Sequence, residues 1–339
     1  MPAEPSLSVV SPFFNNEAVL ARVIRQMADT LDQQFGDDWE FILVNDGSVD
    51  GSLQIARETI SKLGCPRIRL MSLPWNHGRG RAIKTGIDAA RGKIIVTTEA
   101  DGSWGRDIVR ELYDAICADP ALHCVVASVH LPGGGLVNVP RHRVLLTIVG
   151  NWIIRKVFLP EISMNTGMTR AYRREVIQPL VTNENGKEFH LEVLLKLSAL
   201  GFRISEIPAT ITWAPSPAKA PGRTRHKSST KIMKTINTHL RFVAIANPIR
   251  NFAWMALCCF LASIFFLGWA VINLIIGDVA IYLGLVALFL MLFALVLMGF
   301  SICFCQFKEI LSSSWMAAYR QGRPPSSAPA KEIFFNRED

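Results

Sequence analysis

The sequence predicts an α/β fold, a doubly wound and mainly parallel sheet, followed by a C-terminal hairpin of two transmembrane helices. Short apolar runs alternate with amphipathic stretches in the N-terminal third of the chain. Polar, acidic or glycine-containing clusters follow successive apolar runs, and two long uncharged runs lie near the C-terminus. Alternating strands and helices are typical of a parallel sheet with helices on both faces.

The individual elements follow from the apolar runs and from the turn residues between them. Pro12 ends the first strand, and Asn15, Asn16 and Glu17 are residues of the kind that begins a helix. The cluster at 45–52 forms the next strand-to-helix turn. The predicted order is strand 7–10, helix 18–31, strand 39–44, helix 53–63, strand 68–73, a helix ending at Ala90 and a buried strand at 94–96.

Two carboxylates, Glu99 and Asp101, follow the fourth strand directly. The carboxyl ends of parallel strands form the edge where ligands bind, and side chains two residues apart on an extended chain point the same way. The pair could therefore share a hard cation, Mg²⁺ or Mn²⁺, with the oxygens of a diphosphate. On these residues alone, an acidic turn without a ligand remains an equal alternative.

The two uncharged runs, 252–276 and 279–305, are each long enough to cross a hydrocarbon core of roughly 30 Å as a helix. Only Gly277 and Asp278 separate them, so their outer ends should return to one side. Lys and Arg flank the pair but are absent from its turn, which places both flanks, and so both termini, in the cytoplasm. The N-terminus carries no export signal that would contradict this expectation.

Composition narrows the function classes further. The formal charge of +8 fits a surface that rests on anionic lipid, and no nucleic-acid motif accompanies it. Four of the seven cysteines lie within the apolar runs and the others lack CxxC spacing, so we expect reduced thiols and no zinc. Ile83 replaces the third glycine of a dinucleotide fingerprint and no P-loop occurs, which disfavours dehydrogenases and P-loop enzymes.

Four ordered motifs, at 12–17, 44–48, 76–82 and 99–101, resemble those of family 2 glycosyltransferases. The resemblance is to the branch that contains dolichol-phosphate mannose synthase and its bacterial polyprenyl-phosphate relatives, and it covers about residues 6–310. Each motif is weak alone, whereas four in this order and spacing are specific. The resemblance implies a GT-A fold and a nucleotide diphosphate sugar donor of the UDP or GDP type.

The resemblance also implies roles for individual residues. Glu99, Asp101 and Ser103 would hold the metal, and Asp101 would act in catalysis. Two positions depart from the family pattern, because Asn45 replaces an aspartate and Glu99 has a longer arm than the usual aspartate. The implied donor-binding residues are Pro12, Asn15, Glu17, Asp46, Ser48, Asn76, Arg79, Gly80, Lys84, Glu99, Ala100, Asp101 and Lys227.

Polar residues recur every four positions through the apolar segment 144–158, which places Arg143, Thr147, Asn151 and Arg155 on one helical face. An interfacial helix with this face turned inward would suit a lipid phosphate, and an ordinary solvated face is the alternative. The resemblance assigns Arg143 and Thr147 to the acceptor phosphate and to catalysis. His130 stands where the family has a second arginine, as a candidate substitute.

Two further segments carry candidate roles. His190 and Glu192 could act together as a catalytic general base, although a helical histidine near an apolar face is more often structural. The basic loop 215–231, which contains Lys227, resembles a family region that closes over the donor diphosphate; a lipid-touching linker is the alternative. A second interfacial helix is expected at 307–319 and disorder at 322–330.

The sequence therefore predicts a metal-dependent, inverting glycosyltransferase that acts on a polyprenyl phosphate at the cytoplasmic leaflet. Nucleic acid is not an expected partner, and a homo-oligomer is left open. The rivals are a membrane glycosyltransferase that extends a polysaccharide or glycolipid hydroxyl, and a degenerate nucleotide-binding scaffold. The predicted regions are a catalytic domain at 1–235, an interfacial helix at 236–251, two transmembrane helices at 252–305, and an interfacial helix with a disordered tail at 306–339.

Overall fold

The structure is a computed structural model that describes residues 4–138, 162–212, 252–277, 279–321 and 331–333. Its strands are β1 (Leu7–Phe13), β2 (Trp39–Asn45), β3 (Ile68–Ser72), β4 (Ile94–Thr97), β5 (Leu122–Ser128), β6 (Gly135–Val137), β7 (Arg170–Arg173), β8 (Arg203–Pro208), β9 (Thr210–Thr212) and β10 (Lys331–Ile333). Its helices are α1 (Leu20–Phe35), α2 (Ser52–Leu63), α3 (Arg79–Ala89), α4 (Ile108–Ala118), α5 (Arg174–Ile177), α6 (Phe189–Ala199), α7 (Trp254–Ile276) and α8 (Ile281–Arg320).

Eight strands form one sheet in the order β10-β3-β2-β1-β4-β7-β5-β8. The strands β3, β2, β1 and β4 are parallel, β5 and β8 are parallel, and β7 runs antiparallel to both of its neighbours. The mainly parallel α/β sheet predicted from the sequence is confirmed. The short strands β6 and β9 form a separate parallel pair.

Helices cover both faces of the sheet, which is why the central strands are apolar without alternation. All seven residues of β1 and of β2 are buried. Val9 belongs to one core cluster, with residues of α1, α2 and α4, whereas the adjacent Val10 belongs to a second cluster with residues of α3 and α6. Successive side chains of a strand thus feed opposite cores, as the twofold periodicity of a strand requires.

The first strand continues past Pro12, where the sequence predicted its end. Alternate residues of a parallel strand bond to the same neighbour, and the Val10 carbonyl accepts the Thr98 N–H on the β4 side. Pro12 faces that same side, beyond the last paired residue of β4. The missing N–H of proline therefore costs the ladder no bond.

The chain divides into two compact units, Met1–Arg225 with Trp315–Asp339, and His226–Ser314. The second unit contains α7 and residues 281–314 of α8. Both helices are long and apolar enough to cross a membrane, and the Ser263 hydroxyl of α7 donates to the Ala287 carbonyl of α8 (2.8 Å). Helix α8 continues to Arg320, so the segment 307–319 is part of one long helix and the expected separate interfacial helix is not seen. The segments 236–251 and 322–330 lie outside the described residues.

Candidate active site

The loops that follow β1, β2 and β4 meet at the carboxyl edge of the sheet and are joined by hydrogen bonds. The Asn15 N–H donates to Ser48 Oγ (3.0 Å), and the Val49 N–H donates to Asn15 Oδ1 (3.0 Å). Asn16 Nδ2 donates to the Ala100 carbonyl (3.3 Å). Asn15 adopts φ of 53°, a left-handed conformation that asparagine tolerates better than most residues. The edge on which the sequence placed the donor site is therefore one connected surface.

Asp46 fixes the loop after β3 to the end of β2. Its carboxylate is buried and accepts the N–H groups of His77 (2.9 Å) and Gly78 (3.1 Å). Burial raises the pKa of Asp46, and these hydrogen bonds oppose the rise. A Cβ on Gly47 would lie 2.2 Å from the Trp75 carbonyl carbon, so only glycine permits this close approach. Asp46 thus fixes the shape of the loop after β3.

Asn45, one of the departures from the family pattern, has a structural role in this chain. Its Nδ2 donates to Ser72 Oγ (2.9 Å) on the neighbouring strand, and its Oδ1 accepts the Ser48 N–H (3.0 Å). Asn45 therefore ties β3 to the turn after β2.

Glu99 is held by three donors of the protein. Arg79 Nη1 lies 3.3 Å from Oε1, and Oε2 accepts Trp104 Nε1 (3.1 Å) and Ser103 Oγ (3.4 Å). Burial and the neighbouring Asp101 carboxylate raise the pKa of Glu99, while Arg79 opposes the rise. The longer arm of glutamate is thus oriented by its surroundings. Trp104 was missed by the sequence analysis, since nothing in the residue order indicates that an indole five positions on turns back to this carboxylate.

Asp101 is exposed and only partly engaged. Its Oδ1 accepts the Ser103 N–H (2.9 Å), and its Oδ2 has no hydrogen bond to any described residue. Within the part of the chain that the structure describes, no three His, Cys, Asp or Glu side chains form a complete metal site. Two carboxylates and a diphosphate would offer oxygen ligands, and an all-oxygen ligand set suits Mg²⁺ or Mn²⁺. The residues present therefore fit the expected cation.

The other donor-side candidates on the first loops lie at the same edge. Glu17 is exposed, and its Oε2 accepts the Gly51 N–H (3.0 Å) at the start of α2. Asn76 is exposed on the loop after β3, and Pro12 is buried at the end of β1. Glu17 and Asn76 can reach a ligand from these positions, whereas Pro12 contributes the shape of the strand end.

Gly80 and Lys84, on α3, make contacts inside the fold. A Cβ on Gly80 would lie 2.5 Å from Phe189 Cβ, so glycine lets α3 pack closely against α6. The Lys84 ammonium lies 2.6 Å from Asp88 Oδ1 and 2.9 Å from the Gln178 carbonyl, and burial lowers its pKa. The positive charge of Lys84 is thus neutralised within the fold.

Of the predicted acceptor-side residues, only His130 is described. Arg143, Thr147 and Asn151 lie outside the described residues, as does Lys227 of the basic loop. The His130 N–H donates to Ser128 Oγ (3.2 Å), and partial burial lowers the pKa of its imidazole. A neutral His130 could offer a phosphate a hydrogen bond but not a full positive charge.

His190 and Glu192, the candidate general base on α6, are not arranged for that role. Glu192 is buried and accepts the N–H groups of Asn183 (2.9 Å) and Glu184 (2.9 Å), and Lys196 Nζ lies 2.7 Å from its Oε1. Through these contacts Glu192 stabilises the loop that precedes α6. His190 is also buried, and its Nε2 has no partner among the described residues.

The protonation of His190 gives a testable stability effect. Burial and the Arg170 and Arg79 guanidinium groups hold the pKa of His190 well below its ordinary value. Below about pH 6.5 the unfolded chain binds a proton at this residue and the folded chain does not, so acid favours unfolding by up to about 1.4 kcal/mol per pH unit. We expect His190→Gln to weaken the fall in Tm between pH 7 and pH 5.5. An identical fall in parent and variant would contradict this.

The sequence matches a family model and two proteins of known activity. The model of the family described as Glycosyl transferase family 2 matches residues 8–181. Polyprenol monophosphomannose synthase of Mycolicibacterium smegmatis is 28% identical over 210 residues, which is 60% of this chain and 76% of that protein. Dodecaprenyl-phosphate galacturonate synthase of Rhizobium johnstonii is 37% identical over 95 residues, but the alignment spans only 28% of each chain.

A solved structure shows the same fold. Glucosyl-3-phosphoglycerate synthase from Mycobacterium tuberculosis, crystallised with Mn²⁺, UDP and phosphoglyceric acid, superposes with a TM-score of 0.52 at 19% identity over 70% of this chain and 78% of that chain. The likeness confirms the GT-A fold expected from the sequence motifs. Because the family model matches slightly more than half of the residues and the four motif loops meet at one edge, the chain belongs to glycosyltransferase family 2 and is a glycosyltransferase.

Proposed function

We propose that the chain transfers a sugar, with inversion, from a nucleotide diphosphate sugar to a polyprenyl phosphate at the cytoplasmic leaflet of a membrane. The observation that carries the donor half is the exposed Asp101 carboxylate, with one oxygen free of described partners, beside the oriented Glu99 at the sheet edge. The acceptor half is supported by the two relatives, which differ in their sugar, mannose or galacturonate, and share a polyprenyl-type lipid in their names.

On the donor side, Asp101 and Glu99 face the diphosphate, and Arg79 is close enough to Glu99 to contact the same group. A bound Mg²⁺ or Mn²⁺ would neutralise the negative charge that develops on the departing nucleoside diphosphate. Asn15, Glu17 and Ser48 lie where the nucleoside portion would follow. We propose a donor of either the UDP or the GDP type, because the hydrogen bonds of these loops do not select a base.

On the acceptor side, we assign the lipid phosphate to Arg143, Thr147 and Asn151, with His130 as a further contact. A phosphate monoester is ionised near neutral pH, so its oxygen attacks the anomeric carbon as the bond to the diphosphate breaks. No strong protein base is needed, in keeping with a buried neutral His190 and a fully engaged Glu192. The arginine would neutralise and orient the nucleophile.

For the cellular location, we propose that α7 and α8 anchor the enzyme as a transmembrane hairpin, with the catalytic domain and both termini in the cytoplasm. Both helices pass the length and hydropathy requirement of a span, and basic residues flank them. The predicted catalytic, interfacial, transmembrane and tail regions remain part of this proposal.

The second candidate is a membrane glycosyltransferase that extends a polysaccharide or glycolipid. Such an enzyme must activate a hydroxyl and therefore needs a general base. Glu192, the acid that the sequence paired with His190, is buried and bound to Lys196 and two backbone N–H groups, which disfavours this alternative.

A panel of labelled sugar nucleotides tests the proposed function. Membranes that contain the chain are incubated with each UDP- or GDP-sugar, with and without added polyprenyl phosphate. We expect one labelled sugar to enter the lipid fraction and its incorporation to rise with the added phosphate. Label that enters a polymer, or a glycolipid independently of polyprenyl phosphate, would instead support the hydroxyl-acceptor enzyme.

A further inference from the structure

Exposed apolar side chains of the described catalytic region concentrate at the donor edge. Among the described residues before Trp254, four large apolar side chains are exposed, and three of them lie on the loops that follow β1, β2 and β3: Phe14, Val49 and Trp75. Trp75 has the largest side chain of the three, and it is 62% exposed, so it contributes little to the core. Such a residue at a ligand-binding edge calls for an explanation in terms of a ligand.

Trp75 is held in place despite its exposure. Its ring stacks on the His77 imidazole with centroids 4.8 Å apart and planes 20° apart. His77 Nδ1 lies 2.7 Å from the Trp75 carbonyl oxygen, and the His77 N–H donates to the buried Asp46 carboxylate. The loop is also pressed against Gly47, where no side chain fits. The exposed ring is therefore held in place by His77, which is itself bonded to Asp46 of the predicted donor site.

We propose that Trp75, backed by His77, is the platform on which the nucleobase of the donor stacks. This rests on the proposed function, since it requires a nucleotide donor. Neighbouring strands are about 4.8 Å apart, and β3 lies three positions from β4 in the sheet, so these two strands are about 14 Å apart along the edge. An extended nucleoside diphosphate with its diphosphate at Asp101 places its base toward that end of the edge.

The chemistry of the platform also fits a base. An indole presents a flat π face that stacks on any nucleobase, and such stacking changes affinity about 10- to 100-fold on replacement by alanine. Phe14 and Val49 lie on the loops after β1 and β2, the two strands that separate β3 from β4 in the sheet. Their exposed side chains add apolar surface between Trp75 and Asp101 along the edge. The stacking itself would not discriminate uracil from guanine, so base selection falls to polar groups of the same loops.

Nucleotide binding to the full chain in detergent or nanodiscs tests the platform without measuring transfer. UDP, GDP and inorganic pyrophosphate, each with Mg²⁺, are titrated by calorimetry into the parent, Trp75→Ala and Trp75→Phe. We expect Trp75→Ala to weaken the nucleotide that the parent binds by about 10- to 100-fold and to leave pyrophosphate affinity unchanged, while phenylalanine restores most of the loss. Trp254, on α7, is exposed to nearly the same extent as Trp75, so Trp254→Ala is the matched control and should bind as the parent does.

The outcomes separate the two proposals. If the parent binds a nucleotide and Trp75→Ala binds it equally well, the platform is wrong and the proposed function stands. If Trp75→Ala loses pyrophosphate and nucleotide in parallel, the loop serves the diphosphate or the fold, and the base assignment is wrong. If the parent binds neither nucleotide, the proposed function fails and the platform fails with it.

Discussion

Replacing Asp101 with asparagine should abolish turnover, by about a thousandfold or more, without unfolding the catalytic domain. In the proposed site the exposed carboxylate would hold the cation that neutralises the donor diphosphate, and asparagine removes its charge while preserving its shape. The amide oxygen can still accept the Ser103 N–H. Circular dichroism and Tm should therefore match the parent while kcat falls.

The control for this result is Asp107→Asn. Asp107 is exposed on the same segment, and its Oδ1 accepts Gln34 Nε2 (2.8 Å), so losing this charge should leave transfer intact. The same account requires that a chelator stop the parent enzyme and that Mg²⁺ or Mn²⁺ restore it. Full activity in excess chelator would show that the carboxylate pair acts without a metal.

Arg143→Ala should lower kcat/KM for polyprenyl phosphate by two or more orders of magnitude and leave sugar nucleotide affinity nearly unchanged. An arginine that binds the lipid phosphate neutralises the nucleophile and fixes its line of attack, so its loss harms transfer far more than donor binding. The expected effect equals roughly the 2 to 3 kcal/mol of a charged hydrogen-bond pair. Steady-state kinetics with varied lipid, and calorimetry with the nucleotide, provide the two readouts.

Lysine at position 143 should rescue the enzyme only partly, because it keeps the charge and loses the planar fork of guanidinium. Arg110→Ala on α4, where Arg110 pairs with Asp114 (2.8 Å), is the matched control and should transfer normally. An alanine variant that loses donor binding, or that uses polyprenyl phosphate as well as the parent, would remove Arg143 from the acceptor site.

Much of the fold could be predicted because local sequence carries it. Buried parallel strands need continuous apolar residues, so runs such as 39–44 and 94–96 located β2 and β4 closely. The antiparallel strand β7 between β4 and β5 could not be predicted, because its partners are far away in sequence and nothing local marks the direction of a strand. The continuous helix α8 was likewise missed, since apolar composition changes after Cys305 without a residue that stops a helix.

The position of the candidate site at the edge of the sheet could be predicted from the sequence. The hydrogen bonds of its side chains could not. Motif order placed Glu99, Asp101 and Asp46 at strand ends, and the structure brings their loops together. The burial of Asp46 and the use of its oxygens by two backbone N–H groups depend on how a distant loop folds back. For the same reason Lys84, a donor candidate by position, proves to be paired inside the fold with Asp88.

The most direct test of the central claim is the identity of the lipid product formed by the purified enzyme. With its sugar nucleotide, a divalent cation and polyprenyl phosphate, we expect mass spectrometry to show one lipid product, the polyprenyl phosphate plus a single sugar residue, with one nucleoside diphosphate released for each molecule formed. A product that carries the sugar on a hydroxyl, or donor hydrolysis at the same rate with and without polyprenyl phosphate, would contradict the claim.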